Sequence, residues 1–165
     1  MTTEPSNAGG ATSQYLTFHL GAEKFALDIR CVREIIQHSA MTLVPLMPVF
    51  IRGVINLRGA VVPVIDLQAR FGRHSADVGK KTCIIIFEAK REDSDVTLGL
   101  MVEAVSEVLD IAPQDIEPPP EFGTAIHRQF IQGMGKVGTE FIVILAPERA
   151  MDMDAMAAET EQATM

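Results

Sequence analysis

Two blocks of the sequence occur twice in the same order, and this internal repeat limits the possible folds more than any single motif does. The first block, "ALDIRCVREII" (26–36), aligns with "GLMVEAVSEVL" (99–109) at an offset of 73 residues. The second block, "FIRGVINLRGAVVPVI" (50–65), aligns with "FIQGMGKVGTEFIVIL" (130–145) at an offset of 80 residues. The difference in offset falls in a proline-rich stretch, "EPPPEFGTA" (117–125). Two ordered blocks that differ by one loop insertion predict two related structural units.

The apolar runs along the chain have the length of β-strands. Turn residues such as Gly21 and Gly72 separate the runs "YLTFHL", "KFALDI", "AVVPVIDL", "TCIIIFEA", "VTLGLMVEAV" and "EFIVILA". The pattern therefore predicts an all-β fold of the sandwich or small-barrel type. We expect two β-lobes, at about 14–76 and 77–146, joined through a polar connector at 68–81. We call the occurrence of the repeat in the first lobe copy one and that in the second lobe copy two.

The two ends of the chain lack this strand pattern. Residues 1–13 are rich in small and polar residues and predict a flexible arm, whereas 147–165 predict a helical or frayed tail, acidic over 151–165. The N-terminus has neither the basic start nor the apolar centre of a secretory signal. No apolar run approaches the roughly 20 residues that span a bilayer. We therefore expect a cytosolic protein that does not insert into a membrane.

The charge balance argues against nucleic acid as a partner. The chain has 22 acidic residues against 14 basic ones, which gives a net charge of -8, and no basic stripe. Nucleic-acid binding depends on such a stripe because Lys and Arg must neutralise phosphates. Aromatic residues make up only 5% of the chain, so platforms for base stacking are not expected either.

One stretch, "GMGKVG" (133–138), has the G-x-G-x-x-G spacing of a dinucleotide-binding loop. That chemistry requires a strand before the glycines and a helix N-terminus after them, but the residues that follow, "TEFIVILA" (139–146), have a strand pattern. In copy one the corresponding stretch is "GVINLRG", which lacks the spacing. We therefore interpret Gly133, like its counterpart Gly53, as a turn residue and expect no cofactor. A small nucleotide-binding enzyme is the competing hypothesis.

No group of residues has the spacing of a catalytic or metal-binding site. The four histidines are scattered, without the intervals of metal ligands: His19, His38, His74 and His127. No serine lies in a G-x-S-x-G elbow. Asp28 and Asp66 end apolar runs, as carboxylates in turns commonly do, and a catalytic dyad is the alternative. The sequence therefore predicts a protein that is not an enzyme and holds no metal.

The two copies of the repeat differ in charge at the turn of the second block. Arg58, in "NLRG", stands where copy two has a glycine, and Arg52 stands where it has a glutamine, whereas Glu34 occurs in both copies. Two interpretations remain open for this asymmetry. The arginine can form a plain surface ion pair, which contributes little to stability. It can also be a polar anchor in a binding surface, because arginine is enriched at interface hot spots.

The same blocks resemble a known family. The chain is similar to the bacterial chemotaxis coupling proteins, the CheW family, over residues 14–150 in four stretches: "GAEKFALDIRCVREII" (21–36), "FIRGVINLRGAVVPVIDLQARFG" (50–72), "LGLMVEAVSEVL" (98–109) and "PPPEFG" (118–123). The motif G-V-x-N-L-R-G-x-x-x-P-x-x-D-L is shared by this family and by the regulatory domain of the chemotaxis histidine kinase. A length of 165 residues favours the stand-alone coupling protein.

The resemblance implies two SH3-like five-stranded β-barrels related by pseudo-twofold symmetry, with no catalysis and no cofactor. It implies two partners, the cytoplasmic tip of a chemoreceptor and the regulatory domain of the chemotaxis histidine kinase, at membrane-associated receptor clusters. An adaptor of this kind that serves another chemosensory output, such as surface motility, is an alternative that the sequence does not separate.

The resemblance also implies site residues. The receptor-facing groove maps to four positions: Val32, Glu34, Ile35 and Arg58. Contacts with the kinase are expected at strand ends of the barrels, at Val54 and Val105. These six residues come from both copies of the repeat.

Two further sets of residues complete the expected surface. Gly53 and Gly59, with Gly133 in copy two, are expected to be turn residues that hold the surface in shape. Phe122, in the proline-rich loop, has two possible roles. It is either an anchor within its own barrel or a contact between neighbouring subunits in the rings of a receptor array, because an exposed aromatic ring supplies a large apolar area.

Overall fold

A computed structural model of the chain describes residues 12–38, 40–47, 50–70, 78–90, 95–118 and 131–146. Phe122, the tail at 147–165 and the arm before residue 12 lie outside these ranges. The described elements are one four-residue helix, α1 (Leu67–Arg70), two 3-10 turns (Ile29–Cys31 and Pro113–Asp115) and eleven strands: β1 (Ser13–Leu20), β2 (Glu23–Asp28), β3 (Val32–Gln37), β4 (Ile51–Leu57), β5 (Ala60–Asp66), β6 (Cys83–Lys90), β7 (Asp95–Val102), β8 (Ala104–Ile111), β9 (Ile116–Glu117), β10 (Ile131–Val137) and β11 (Glu140–Leu145). The prediction of an all-β fold is confirmed.

The strands form two sheets with the same internal order. The six-stranded sheet runs β8-β1-β2-β11-β10-β9, and the five-stranded sheet runs β3-β6-β7-β5-β4. Apart from the short β9, each strand of one sheet has its counterpart at the same place in the other. Both sheets also contain one parallel pairing, β2 with β11 and β5 with β7, among antiparallel ones. This agrees with the predicted pair of SH3-like units related by pseudo-twofold symmetry, although each unit is an open sheet rather than a closed barrel.

The two offsets of the sequence repeat recur in the strand pairing. In the five-stranded sheet, Val64 pairs with Gly99. In the six-stranded sheet, Ile144 pairs with Ala26. Val64 and Ile144 are separated by the offset of the second block, and Ala26 and Gly99 by the offset of the first. The repeat seen in the sequence is therefore a repeat of hydrogen-bonded strand pairs.

Each sheet nevertheless combines strands from both copies. Strands β1 and β2 of copy one lie in the six-stranded sheet with β8, β10 and β11 of copy two, whereas β6 and β7 of copy two lie with β3, β4 and β5 of copy one. The chain crosses between the sheets at Ile29–Cys31 and again at Glu103, which are equivalent places in the two copies. The predicted lobes, 14–76 and 77–146, therefore describe the repeats but not the structural units. One unit consists of the described residues within 32–102, and the other combines 13–28 with the described residues within 104–145.

Burial on both faces of the central strands explains their uninterrupted apolar sequences. In β6, Ile85 and Phe87 belong to the cluster between the two sheets, whereas Ile84 and Ile86 belong to a second cluster on the other face of the five-stranded sheet. The six-stranded sheet has a cluster of its own: Tyr15, Ala26, Ile111, Ile142 and Ile144. The core thus has three layers, one between the sheets and one within each curled sheet.

Gly53 and Gly133 lie within strands, β4 and β10, and not in turns as predicted. A register shift at the same place in each strand marks a β-bulge. Gly53 has a φ of 154°, and a Cβ there would lie 2.8 Å from the carbonyl oxygen of Thr42. That oxygen accepts a hydrogen bond from the backbone nitrogen of Val54 at 2.9 Å, so it has little freedom to move away. The bulge in β4 therefore requires glycine for both conformation and space.

We expect the substitution Gly53→Ala to lower the free energy of unfolding by about 2 kcal/mol or more, because it combines a strained φ with a clash against backbone. Urea unfolding followed by circular dichroism measures this change. The control is Gly79→Ala, where a Cβ would meet no atom within 4 Å and φ is not positive, and we expect a change within about 0.5 kcal/mol. Equal unfolding midpoints for the two variants would contradict this explanation of Gly53.

Candidate functional site

An ion pair joins the two edges of the five-stranded sheet. Glu34 lies on the edge strand β3, and Arg58 lies in the turn that links the other edge strand, β4, to β5. Nη1 of Arg58 donates to Oε2 of Glu34 at 2.7 Å, and Nη2 donates to Oε1 at 2.8 Å. Such a bidentate pair fixes the geometry of both side chains. Because β3 and β4 are the two edge strands, the sheet must curl until these edges approach each other for this contact to form. We call the gap between the two edges the seam, and the ion pair bridges it.

The pair lies at the protein surface. The Arg58 side chain is 69% exposed and that of Glu34 is 30% exposed. Hydrogen bonds from Arg58 hold the pKa of Glu34 below its usual value, and the same bonds raise the pKa of the Arg58 guanidinium. Both groups therefore stay charged near neutral pH. An exposed pair of this kind adds little stability.

Arg58 has a backbone conformation that glycine favours. Its φ is 52° and that of Gly59 is 89°, and these two residues form the two-residue loop between the paired residues Leu57 and Ala60. Positive φ at both loop positions is the pattern of a type I′ turn. Gly59 is thus the second residue of this turn. A non-glycine residue with positive φ is uncommon, and such strain concentrates at functional positions.

The equivalent turn in the six-stranded sheet is built differently. There Gly138 has a φ of 63° and Thr139 does not have a positive φ, which is the pattern of a type II′ turn. Glu107, the counterpart of Glu34, accepts a hydrogen bond from Nζ of Lys24 at 3.4 Å instead of pairing with an arginine. Among the described residues, the five-stranded sheet therefore has a bidentate ion pair across its seam, and the six-stranded sheet has none at the equivalent position.

The "GMGKVG" stretch (133–138) occupies β10 and the turn before β11. The strand Glu140–Leu145 follows it, where a dinucleotide-binding loop would lead into a helix N-terminus. The motif therefore has a hairpin context, as the strand pattern after it predicted. The nucleotide-binding hypothesis loses the observation that motivated it.

The other predicted receptor contacts lie on β3 with Glu34. Val32 is partly buried and packs against the cluster between the sheets. Ile35 is 44% exposed. Successive side chains of a strand point to opposite faces, so Ile35 adjoins Glu34 in sequence but faces away from it. Of the four predicted positions, the structure brings Glu34 and Arg58 into direct contact.

The two predicted kinase contacts lie in different sheets. Val54, on β4, pairs with Pro63 on one side and with Thr42 on the other. Val105, on β8, pairs with Phe18 and packs against the cluster between the sheets. Both valines are half-buried, so each offers only part of its side chain to a partner.

The strand-ending carboxylates cap the turns that follow them. Oδ1 of Asp28 accepts from the backbone nitrogen of Arg30 at 2.9 Å, and hydrogen bonds from the Arg30 side chain lower the pKa of Asp28. Asp66 is fully buried and accepts from Nη1 of Arg52 at 2.9 Å and from the backbone nitrogen of Gln68 at 3.0 Å. These contacts agree with the interpretation of both aspartates as turn carboxylates.

Sequence reasoning missed the pairing of Arg52 with Asp66. A signal for it existed, because copy two replaces both partners together, with Gln132 and Ala146. A buried charge without its partner strongly destabilises a fold. The two members of a buried ion pair are therefore expected to be present together or absent together. Arg52 is therefore tied to the fold of the five-stranded sheet, unlike Arg58.

Within the part of the chain that the structure describes, no group of three or more His, Cys, Asp or Glu side chains is placed to hold a metal ion. In the same part, no helix has the length and apolar character to cross a membrane.

Replacement of Arg58 by glycine, the residue that copy two carries, should leave the melting temperature about the same. The relief of the positive φ offsets the loss of an exposed ion pair and the added freedom of the unfolded chain. The pKa of Glu34 should rise towards its usual value, which carbon-13 NMR titration of its carboxyl group measures. Arg30→Ala, which removes the pair with Asp28, is the control and should leave the pKa of Glu34 unchanged. A marked loss of thermal stability in Arg58→Gly would contradict this account of the turn.

Comparison with known proteins shows which family the chain resembles in sequence and structure. A family model described as the CheW-like domain matches residues 14–155. A probable chemotaxis protein CheW from Rhizobium etli is 35% identical, with 90% of this chain and 89% of the relative covered. The chemotaxis protein CheW from Klebsiella aerogenes is 31% identical over 87% of this chain and 84% of its own. The crystal structure of the scaffolding protein TtCheW from Thermoanaerobacter tengcongensis matches with a TM-score of 0.76 at 36% identity, over 87% of this chain and 90% of that one.

Proposed function

Because the chain belongs to the family of CheW-like domains, we propose that it couples chemoreceptors to the chemotaxis histidine kinase by holding both in one complex. A chemotaxis coupling or scaffold role is what its relatives are named for. In this proposal one surface binds the cytoplasmic tip of a receptor and another binds the regulatory domain of the kinase. The protein acts in the cytoplasm, at receptor clusters, and its contribution is binding rather than catalysis.

The observation that carries the receptor part of the proposal is the Arg58–Glu34 pair. Its charges are fixed by two hydrogen bonds, its arginine is largely exposed, and its backbone keeps a conformation that a glycine would adopt more readily. An exposed apolar residue, Val61, follows the turn and is 72% exposed, whereas Ile35 is exposed on the face of β3 opposite to Glu34. An arginine beside an exposed apolar residue is a common composition of an interface hot spot. A helical receptor tip with apolar and acidic side chains fits such a surface.

The division into two units supports a bridge between two different partners. The units share their strand order, so they offer surfaces of similar shape. They differ in charge, because basic residues outnumber acidic ones over 32–102, whereas acidic residues outnumber basic ones over 13–28 and 104–145 together. Similar shapes with opposite charge select different partners. We propose contacts with the kinase at Val54 and Val105, one in each unit.

The substitution Arg58→Glu should abolish co-sedimentation with receptor-containing membranes and kinase, while the far-ultraviolet circular dichroism stays that of a β protein. The change places two carboxylates against each other and removes the donor of both hydrogen bonds. The matched control is Arg30→Glu, which reverses another exposed arginine that pairs with a carboxylate. Normal ternary assembly by Arg58→Glu would overturn the assignment of this surface.

A charge-exchanged variant, Glu34→Arg with Arg58→Glu, separates recognition from structure. It allows an ion pair to form across the seam in the reverse direction. If the receptor recognises the positive charge at residue 58 and the negative charge at residue 34, the double variant should not bind even though its ion pair is restored. Recovery of binding in the double variant would mean that the pair acts only by closing the seam.

A further inference from the structure

Asn56, on β4, makes a hydrogen bond that spans Arg58. Its Oδ1 accepts from the backbone nitrogen of Gly59 at 2.8 Å. Asparagine side chains that bond to the backbone a few residues ahead fix the conformation of turns. Because Arg58 lies between the two bonded residues, this contact limits the rotation of the backbone on both sides of Arg58.

The direction of the Arg58 side chain depends on that restraint. In the observed orientation of the turn, both guanidinium nitrogens lie at hydrogen-bonding distance from the Glu34 carboxylate across the seam. A positive φ at an arginine is unfavourable by itself, so the turn needs a contact that holds it there. The bond from Gly59 to Asn56 supplies such a contact within the same hairpin.

The hairpin of copy two, β10–β11, has neither the asparagine nor the arginine. Lys136 stands at the position of Asn56, and Gly138 stands at the position of Arg58. The turn there has a positive φ at its first residue but not at its second. The asparagine, the arginine and the turn with two positive φ angles are therefore found together in one hairpin and are absent together from the other.

We propose that Asn56 is the positioning residue for the Arg58–Glu34 pair, because its bond to Gly59 holds the turn in the conformation in which Arg58 pairs with Glu34. Asn56 then sets the geometry of the surface without itself contacting the partner. The relevance of this effect to receptor binding rests on the function proposed above, whereas the effect on the ion pair does not.

The first arm of the test measures the pair directly in the full chain. Carbon-13 NMR titration reports the pKa of Glu34 in Asn56→Ala, in Asn56→Ser and in the unchanged protein. The pKa of Glu34 should be highest in the alanine variant and intermediate in the serine variant, because a hydroxyl makes the same bond more weakly. Lys136→Ala, at the equivalent position of copy two, is the control and should change nothing at Glu34.

The second arm measures co-sedimentation of the same variants with receptor-containing membranes. Loss of one hydrogen bond that holds the surface should weaken binding about fivefold in Asn56→Ala and less in Asn56→Ser. An unchanged pKa of Glu34 in a folded Asn56→Ala variant would overturn the positioning role. A raised pKa with undiminished binding would uphold the positioning role and overturn the receptor role of the pair. If Asn56→Ala does not fold, the serine variant decides both questions by the same readouts.

Discussion

The exchange of strands between the two copies of the repeat is the constraint on which the rest of the structure depends. In the five-stranded sheet, copy two supplies the central strands β6 and β7, and copy one supplies β3 on one side and β5 and β4 on the other. Glu34 and Arg58 both belong to copy one, yet the strands that set their separation belong to copy two. The surface that we assign to receptor binding therefore forms only when both copies have folded together.

This arrangement suits the proposed role of holding two partners at once. Two units of the same strand order supply two surfaces, and a buried apolar cluster with members from both sheets joins them. The two units differ in a few residues at equivalent positions. Copy one has Arg58 at the hairpin turn and the Arg52–Asp66 ion pair at the other end of the hairpin, whereas copy two has Gly138, Gln132 and Ala146 at those positions.

The sequence predicted the strands and the pseudo-twofold relation well, because apolar runs and repeated blocks are local signals. The sequence could not predict the exchange of strands between the two copies. An alignment shows which residues of the copies correspond, but it does not show which sheet each strand joins. Gly53 was assigned to a turn because a glycine needed for a β-bulge looks the same in sequence as one needed for a turn. Arg58 and Glu34 were found by comparing the copies and by the family resemblance. Asn56 was missed, because its role depends on a hydrogen bond to the backbone that no spacing rule reveals.

The claim that one copy of a repeated fold carries the receptor surface has a direct test. Backbone amide NMR shifts of the labelled full chain, recorded while a cytoplasmic receptor fragment is added, report which residues sense the partner. Our account predicts the largest shifts along β3 and in the turn between β4 and β5. The equivalent positions in β8 and in the turn between β10 and β11 should change little. Shifts of equal size at both sets of positions, or larger ones in β8, would contradict it.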